Sequence, residues 1–268
     1  MLAFYRESMS RTESNSAWRK FGEDDPYFGV LSQPRYRRGS LTEGALEEFF
    51  DSGAEYVDGL LTRLRTRLDA PQRFGDVLDF GCGVGRLAIP LAKYADQVTG
   101  VDISPAMLRE AQHNQERVGA KNINFVETDA WLQDPTRRFD LVHTFIVLQH
   151  IPPGNGMRLI AQLVKQVAEG GFGVLHLTYT KDEPRLRYIS WVKKRLPLAA
   201  GLINVARGRR FSTPVMQMND YNLNHVMHLL QRSGVNEFQA EYTDHGGYLG
   251  LSVGFKKPAI ASGSSVAA

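Results

Sequence analysis

The chain has 268 residues, 43% of them hydrophobic and 23% charged, with a formal net charge of +3 at pH 7. That length and apolar share can bury the core of one large domain, alone or with appendages, and the small net charge excludes the strong positive field of a dedicated nucleic-acid binder. The single Cys82 cannot form an internal disulfide, which fits a reducing, cytoplasmic setting, and there is neither a signal-peptide core nor the roughly 18 uninterrupted apolar residues of a membrane span.

Residues 1–72 precede the regular pattern. "WRKFGEDDPYFGV" carries Trp18, Phe21, Tyr27 and Phe28, which either close over a ligand as a lid or pack this segment onto the domain. In residues 40–69, Leu46, Phe49, Phe50, Val57, Leu60, Leu61, Leu64 and Leu68 fall at helical spacing, and Ser40 with Glu43 reads as a capping box. From Asp76 onward short β-rich runs alternate with helical patterns. Strands are predicted over 76–80, 97–103, 122–128, 139–145 and 170–180. Helices are predicted over 85–94, from Pro105 behind a Ser104 cap to about 118, over 155–168, and over 221–233. This spacing implies βαβ units and a parallel sheet. The runs "VNEFQAEY" and "YLGLSVGF" are close enough in sequence to form an antiparallel hairpin.

The expected organisation is an N-terminal helical lid (1–72), a core (73–180), a basic insert (181–219), a closing helix and hairpin (220–257) and a disordered tail (258–268). Residues 181–210 hold nine Lys or Arg against two acids. With the apolar stripe Ile189, Val192 and Leu196, the insert reads as a cap for an anionic or phosphorylated substrate, as a dock on an anionic membrane serving a lipid-linked substrate, or as a solvated basic face.

The chemistry centres on "VLDFGCGVGR". A strand ending near Asp79 runs into Gly81, Gly83 and Gly85. Missing Cβ atoms let a nucleotide approach the backbone closely. The dinucleotide pattern G-x-G-x-x-G fails from Gly81, because Arg86 occupies the third site, and from Gly83 it is met only by Ala88. A carboxylate at Asp79 repels a pyrophosphate and suits a cation such as an amino acid's ammonium group. Asp102, 17 residues after Gly85 at the end of the second strand, can accept from both ribose hydroxyls. Ile103 offers an apolar edge to adenine. Asp129, with Ala130 and Trp131 beside it, can bind the adenine amine.

Taken in order, "VLDFGCGVGR", "VTGVDIS", "FVETDA" and "FDLVHTFIVLQHIPP" resemble the successive motifs of class I S-adenosylmethionine-dependent methyltransferases, closely over residues 74–180 and more loosely over 220–256. The resemblance implies an α/β, Rossmann-like fold with a seven-stranded, mostly parallel sheet of order 3-2-1-4-5-7-6, only the last strand antiparallel. It implies S-adenosyl-L-methionine as cofactor. By the resemblance Asp79, Gly81 and Gly83 would hold the methionine part, Asp102 the ribose and Asp129 the adenine amine, with Gly85, Ile103 and Ala130 counted among the cofactor-binding residues. Phe145, the last residue of the predicted fourth strand, joins this set.

Methyl transfer from a sulfonium needs alignment and exclusion of water, and an oxygen acceptor also needs a base. His150 is the candidate base and Gln149 a candidate orienting residue. Tyr179, at the end of the fifth strand, is expected to face the cleft and touch substrate. His143 and His176 read as core or sheet-face residues, and His245 as a hairpin-turn residue. No metal spacing is evident, and no nucleic-acid substrate is expected. The predicted acceptor is a sugar, glycan or other small metabolite methylated on oxygen. A small amine, a nicotinamide-dependent oxidoreductase and an inactive binding protein are the alternatives.

Overall fold

The structure, a computed structural model, describes residues 13–183 and 216–259. Seven strands form one sheet: β1 (Phe74–Phe80), β2 (Ala95–Asp102), β3 (Ile123–Glu127), β4 (Phe139–Thr144), β5 (Val167–Lys181), β6 (Glu237–Asp244) and β7 (Tyr248–Lys256). Their order is β3-β2-β1-β4-β5-β7-β6. Strands β1 to β5 pair in parallel, and β7 runs antiparallel to both of its neighbours. Sheet order and strand direction match the sequence-based expectation.

The helices are α1 (Glu13–Asp24), α2 (Pro26–Val30), α3 (Glu43–Leu68), α4 (Ala88–Leu91), α5 (Pro105–Val118), α6 (Thr128–Trp131), α7 (Pro153–Gln166) and α8 (Leu223–Arg232). Alternation along the strands sends successive side chains to opposite faces. Val77, Leu141 and Val174 pack beneath Leu61, Leu64 and Leu68 of α3. Leu78, Val142 and Leu175 face Leu159 and Leu163 of α7 and Val226 and Leu230 of α8. A third cluster joins Tyr27, Tyr36 and Phe49 to Val84 and Met107, so the N-terminal segment is packed onto the glycine turn and α5.

The local capping signals are partly as read. Ser104 caps α5 through its side chain, with Pro105 in the first turn and Gly119 left-handed at the other end. At α3 the cap is Thr42 and not Ser40: its Oγ1 accepts from the Ala45 N–H at 3.2 Å. The helix expected over 85–94 shrinks to the single turn of α4 followed by a 3-10 turn over Ala92–Tyr94. The reason is backbone conformation. Gly85, the first residue of the expected helix, has positive φ, which no right-handed helix accommodates, and the helix begins only at Ala88. β5 begins at Val167, upstream of the expected glycine stop, and α8 starts at Leu223 behind an Asn222 cap. Most of the basic insert, including Lys193, Lys194, Arg195 and the apolar stripe, lies outside the described residues, as does the tail beyond Ala259. Among the described residues, no helix is long and apolar enough to cross a membrane.

Strand order reverses between β1 and β4, which opens a crevice at their carboxyl ends. Asp79 sits at that point, its Cα in register with Gly100 on one side and His143 on the other.

Phe49 is fully buried and makes edge contacts with Tyr27, Tyr36 and Phe50. Phe49→Ala is expected to cost about 3–5 kcal/mol in urea unfolding; a loss well under 1 kcal/mol would contradict the view that this ring holds the N-terminal segment to the domain.

Candidate functional site

The glycine turn is fastened to β2. The N–H groups of Gly81 and Cys82 both donate to the Val101 carbonyl, at 2.7 and 3.0 Å. The Gly83 N–H donates to Asp102 Oδ2 at 3.0 Å, and the Ser104 N–H donates to Asp102 Oδ1 at 2.9 Å. A Cβ on Gly81 would lie 2.2 Å from a Val147 methyl, and one on Gly83 would lie 2.7 Å from a Val30 methyl. The turn is therefore sandwiched between the segment after β4 and the N-terminal segment, and glycine is required on steric grounds as well as by φ.

Burial pushes the Asp102 carboxyl up to about 6, with the charge of Asp79 adding to the effect, while the N–H groups of Ser104, Gly83 and Ile103 pull it down. Asp79 is 2% exposed. Its Oδ1 lies 2.8 Å from His143 Nδ1, and the Tyr56 hydroxyl lies 3.1 Å from His143 Nε2. A carboxylate only accepts, so His143 Nδ1 carries the hydrogen of that bond. Asp79 Oδ2 is buried and has no hydrogen-bond partner. An orphaned carboxylate oxygen costs free energy unless a ligand satisfies it.

That oxygen belongs to a residue lining a cavity that also reaches Gly81, Gly83, Asp102, Ile103, Asp129, Phe145 and His150. The structure thus gathers most of the residues singled out from sequence. Three it leaves out. Gly85 packs inward, its Cβ direction meeting Ile89, Phe125 and Ala111. Ala130 is exposed on the one-turn helix α6. Tyr179 does not line the cavity, contrary to expectation. β5 runs on to Lys181, past the strand end expected at Tyr179, and its pairing with β7 shifts register between Thr178 and Thr180. Thr178 takes the inward place, donating to Gln149 Oε1 at 2.9 Å, and the Tyr179 ring lies against Tyr242.

His150 lies in the 3-10 turn Leu148–His150 after β4. Its Nδ1 is 2.8 Å from the Gln217 carbonyl oxygen, so Nδ1 carries the hydrogen and Nε2 is the acceptor nitrogen, with the Gln149 amide 3.4 Å away. Burial lowers its pKa to about 4, against the bond to Gln217, so the ring is neutral at pH 7. Residues 217–221 are pinned over this turn. Asn219 donates twice to the Gln149 carbonyl, and the Tyr221 hydroxyl bonds to the carbonyls of Leu148 and Ile151.

The N-terminal segment supplies another wall. Trp18 packs on His150 with ring centroids 4.7 Å apart, and Trp18, Val30 and Leu31 line the cavity. Phe21, Tyr27 and Phe28 are buried in the packing of that segment. Of the four aromatics, three serve packing and Trp18 lines the cavity.

Several features escaped the sequence reading. Ile146 has φ +57, a strained conformation for a β-branched residue, and it lines the cavity. Arg86 and Met107 line it too. His245, read as a turn residue, is half-buried with its ring near those of Phe145 and His176. Among the described residues no group of His, Cys, Asp and Glu is arranged to hold a metal ion.

Residues 77–171 match the family model described as "Methyltransferase domain". The chain is 43% identical over 60 residues to a 23S rRNA (uracil(1939)-C(5))-methyltransferase of Marinomonas posidonica, covering 22% of this chain and 14% of that protein. It is 33% identical over 113 residues to a ubiquinone biosynthesis O-methyltransferase of Paracidovorax citrulli, covering 41% of this chain and 44% of that protein. It therefore spans less than half the length of these curated relatives. Among solved structures, the N-methyltransferase NodS from Bradyrhizobium japonicum in complex with S-adenosyl-L-homocysteine has the same fold, with a TM-score of 0.57 and 16% identity over 92% of this chain and all of that one.

The raised Asp102 pKa has a thermodynamic consequence. Between the ordinary 3.8 and about 6 the folded state holds more protons at this group than the unfolded chain. Its contribution to stability therefore falls as pH rises through that window. His150 and His176, lowered by burial to about 4 and about 3, act in the opposite sense, so a comparison between variants isolates Asp102. From about pH 4 to about pH 7, urea unfolding is expected to show the stability difference moving in favour of Asp102→Asn over wild type; parallel curves would contradict the shift.

Proposed function

We propose that this chain, which belongs to the class I S-adenosylmethionine-dependent methyltransferase family, catalyses in-line transfer of a methyl group to an oxygen of a sugar, glycan or other small metabolite. The observation that carries the reading is the unpartnered Oδ2 of Asp79, buried in the same cavity as Asp102 and Asp129. An ammonium group satisfies that oxygen. Asp102 receives one N–H on each oxygen and keeps capacity for two ribose hydroxyls, since an ionised carboxylate has about four acceptor sites. Asp129 accepts from the adenine amine, and Ile103 with Met107 offers an apolar surface to the ring. These residues suit S-adenosylmethionine better than a dinucleotide, whose pyrophosphate Asp79 would repel.

When bound, S-adenosylmethionine supplies a methyl group already activated on a sulfonium. The protein's task is then alignment and dryness. Trp18, Val30 and Leu31 wall the cavity on the N-terminal side. The neutral His150, held in one tautomer by Gln217, presents Nε2 to take the proton of an acceptor hydroxyl. One observation favours a second acceptor class. A base at about 4 is weak, and a neutral amine acceptor needs no strong base before attack. The solved relative named as an N-methyltransferase and the relative named for rRNA place amines and RNA in the acceptor screen.

With labelled methyl donor and fractions of a cell extract, label is expected in the small-molecule or glycan fraction; label confined to RNA would overturn the acceptor class. His150→Ala is expected to lower turnover about 100-fold or more and spare S-adenosylhomocysteine affinity. Wild-type turnover in that variant would remove His150 as the base and favour an amine acceptor.

A further inference from the structure

Arg86 follows the glycine turn, lines the cavity and is 8% exposed. Its guanidinium meets a single hydroxyl, Ser52 Oγ, at 3.1 Å from Nη2 and 3.4 Å from Nε, and lies over the Phe49 ring at 5.8 Å. Among the described residues it forms no ion pair. Burial lowers its pKa, so the charged form is held at a cost. A guanidinium has five N–H donors, and Arg is almost never fully buried unless paired. Asp79, which lines the same cavity, carries an unpartnered carboxylate oxygen. The cavity is therefore lined by one cation and one anion that sense each other's charge but form no ion pair.

We infer that Arg86 binds the α-carboxylate of a zwitterionic amino-acid group whose ammonium faces Asp79. The inference rests on the cofactor reading above and extends it to a residue outside the set picked out from sequence. Planar guanidinium and carboxylate match in shape, and the pair is strongest where water is excluded. A purely architectural role is the competing explanation, because Arg86 also abuts α3: a Cβ on Gly53 would lie 2.4 Å from the Arg86 carbonyl oxygen.

Three ligands separate these roles by titration calorimetry on the full chain: S-adenosylhomocysteine, its decarboxylated analogue, and 5′-methylthioadenosine, which lacks the amino-acid group. Wild-type protein is expected to bind the decarboxylated analogue roughly 10- to 100-fold more weakly than S-adenosylhomocysteine, the worth of a charge-assisted hydrogen bond. Equal affinities would overturn the inference without needing any variant to fold. Arg86→Gln is expected to lose a similar factor toward S-adenosylhomocysteine and to bind methylthioadenosine as wild type does, with Arg86→Lys in between. Equal losses toward both ligands would mark an architectural role and overturn the inference. Unchanged S-adenosylhomocysteine affinity in Arg86→Gln would do the same. Wild-type protein that binds neither S-adenosylhomocysteine nor methylthioadenosine would overturn the cofactor reading, and the role of Arg86 with it.

Discussion

Everything at this site depends on how the turn after β1 is tied to β2. Three residues with positive φ bring the chain back against its neighbouring strand, where two successive N–H groups share the Val101 carbonyl and a third reaches the Asp102 carboxylate. Turn and carboxylate thereby become one rigid unit. Gly100 makes room for it, since a Cβ there would meet the Phe125 ring at 2.6 Å and the Cys82 sulfur at 3.1 Å. Cys82 is buried, and its thiol is pushed well above its ordinary range by burial and by the two nearby carboxylates. It fills space and is no nucleophile.

Around that unit the polar groups extend outward in a connected way. Asp79 leans on His143, which reaches Tyr56 of α3. Tyr56 stacks at 4.2 Å on Phe145, which lines the cavity. The N-terminal segment meets the floor at several points: Val30 against Gly83, Trp18 against His150, and Gly22 against Ser104. It packs onto the domain and forms a wall of the site. Burial at this site raises Asp102 and lowers His150, and Asp79 Oδ2 is buried without a hydrogen-bond partner.

The elements that position the site were legible because they follow local rules. Period-2 runs bounded by turns marked the strands, and Ser104-Pro105 marked the start of α5. Strand order came from the family resemblance and not from periodicity. What the sequence concealed depends on distant contacts or on backbone shape. His143 lies 64 positions from Asp79 and looks like any buried strand residue. Tyr179, expected at a strand's end facing the cleft, lies within a β5 that runs on to Lys181 and shifts register beside it. Ile146 occupies a conformation its side chain disfavours, which no propensity anticipates. Arg86 looked only like a mismatch to a dinucleotide pattern, and its lack of a counter-charge appears only in three dimensions.

The central claim is that this cavity takes an adenosyl amino acid whose ribose binds the ionised form of Asp102. Calorimetric titration with S-adenosylhomocysteine and with NADH, from about pH 5 to about pH 7.5, tests it most directly. S-adenosylhomocysteine is expected to bind more tightly as pH rises, with release of a proton at the acid end in wild type and no such release in Asp102→Asn. Binding of NADH with no response to S-adenosylhomocysteine would contradict the account.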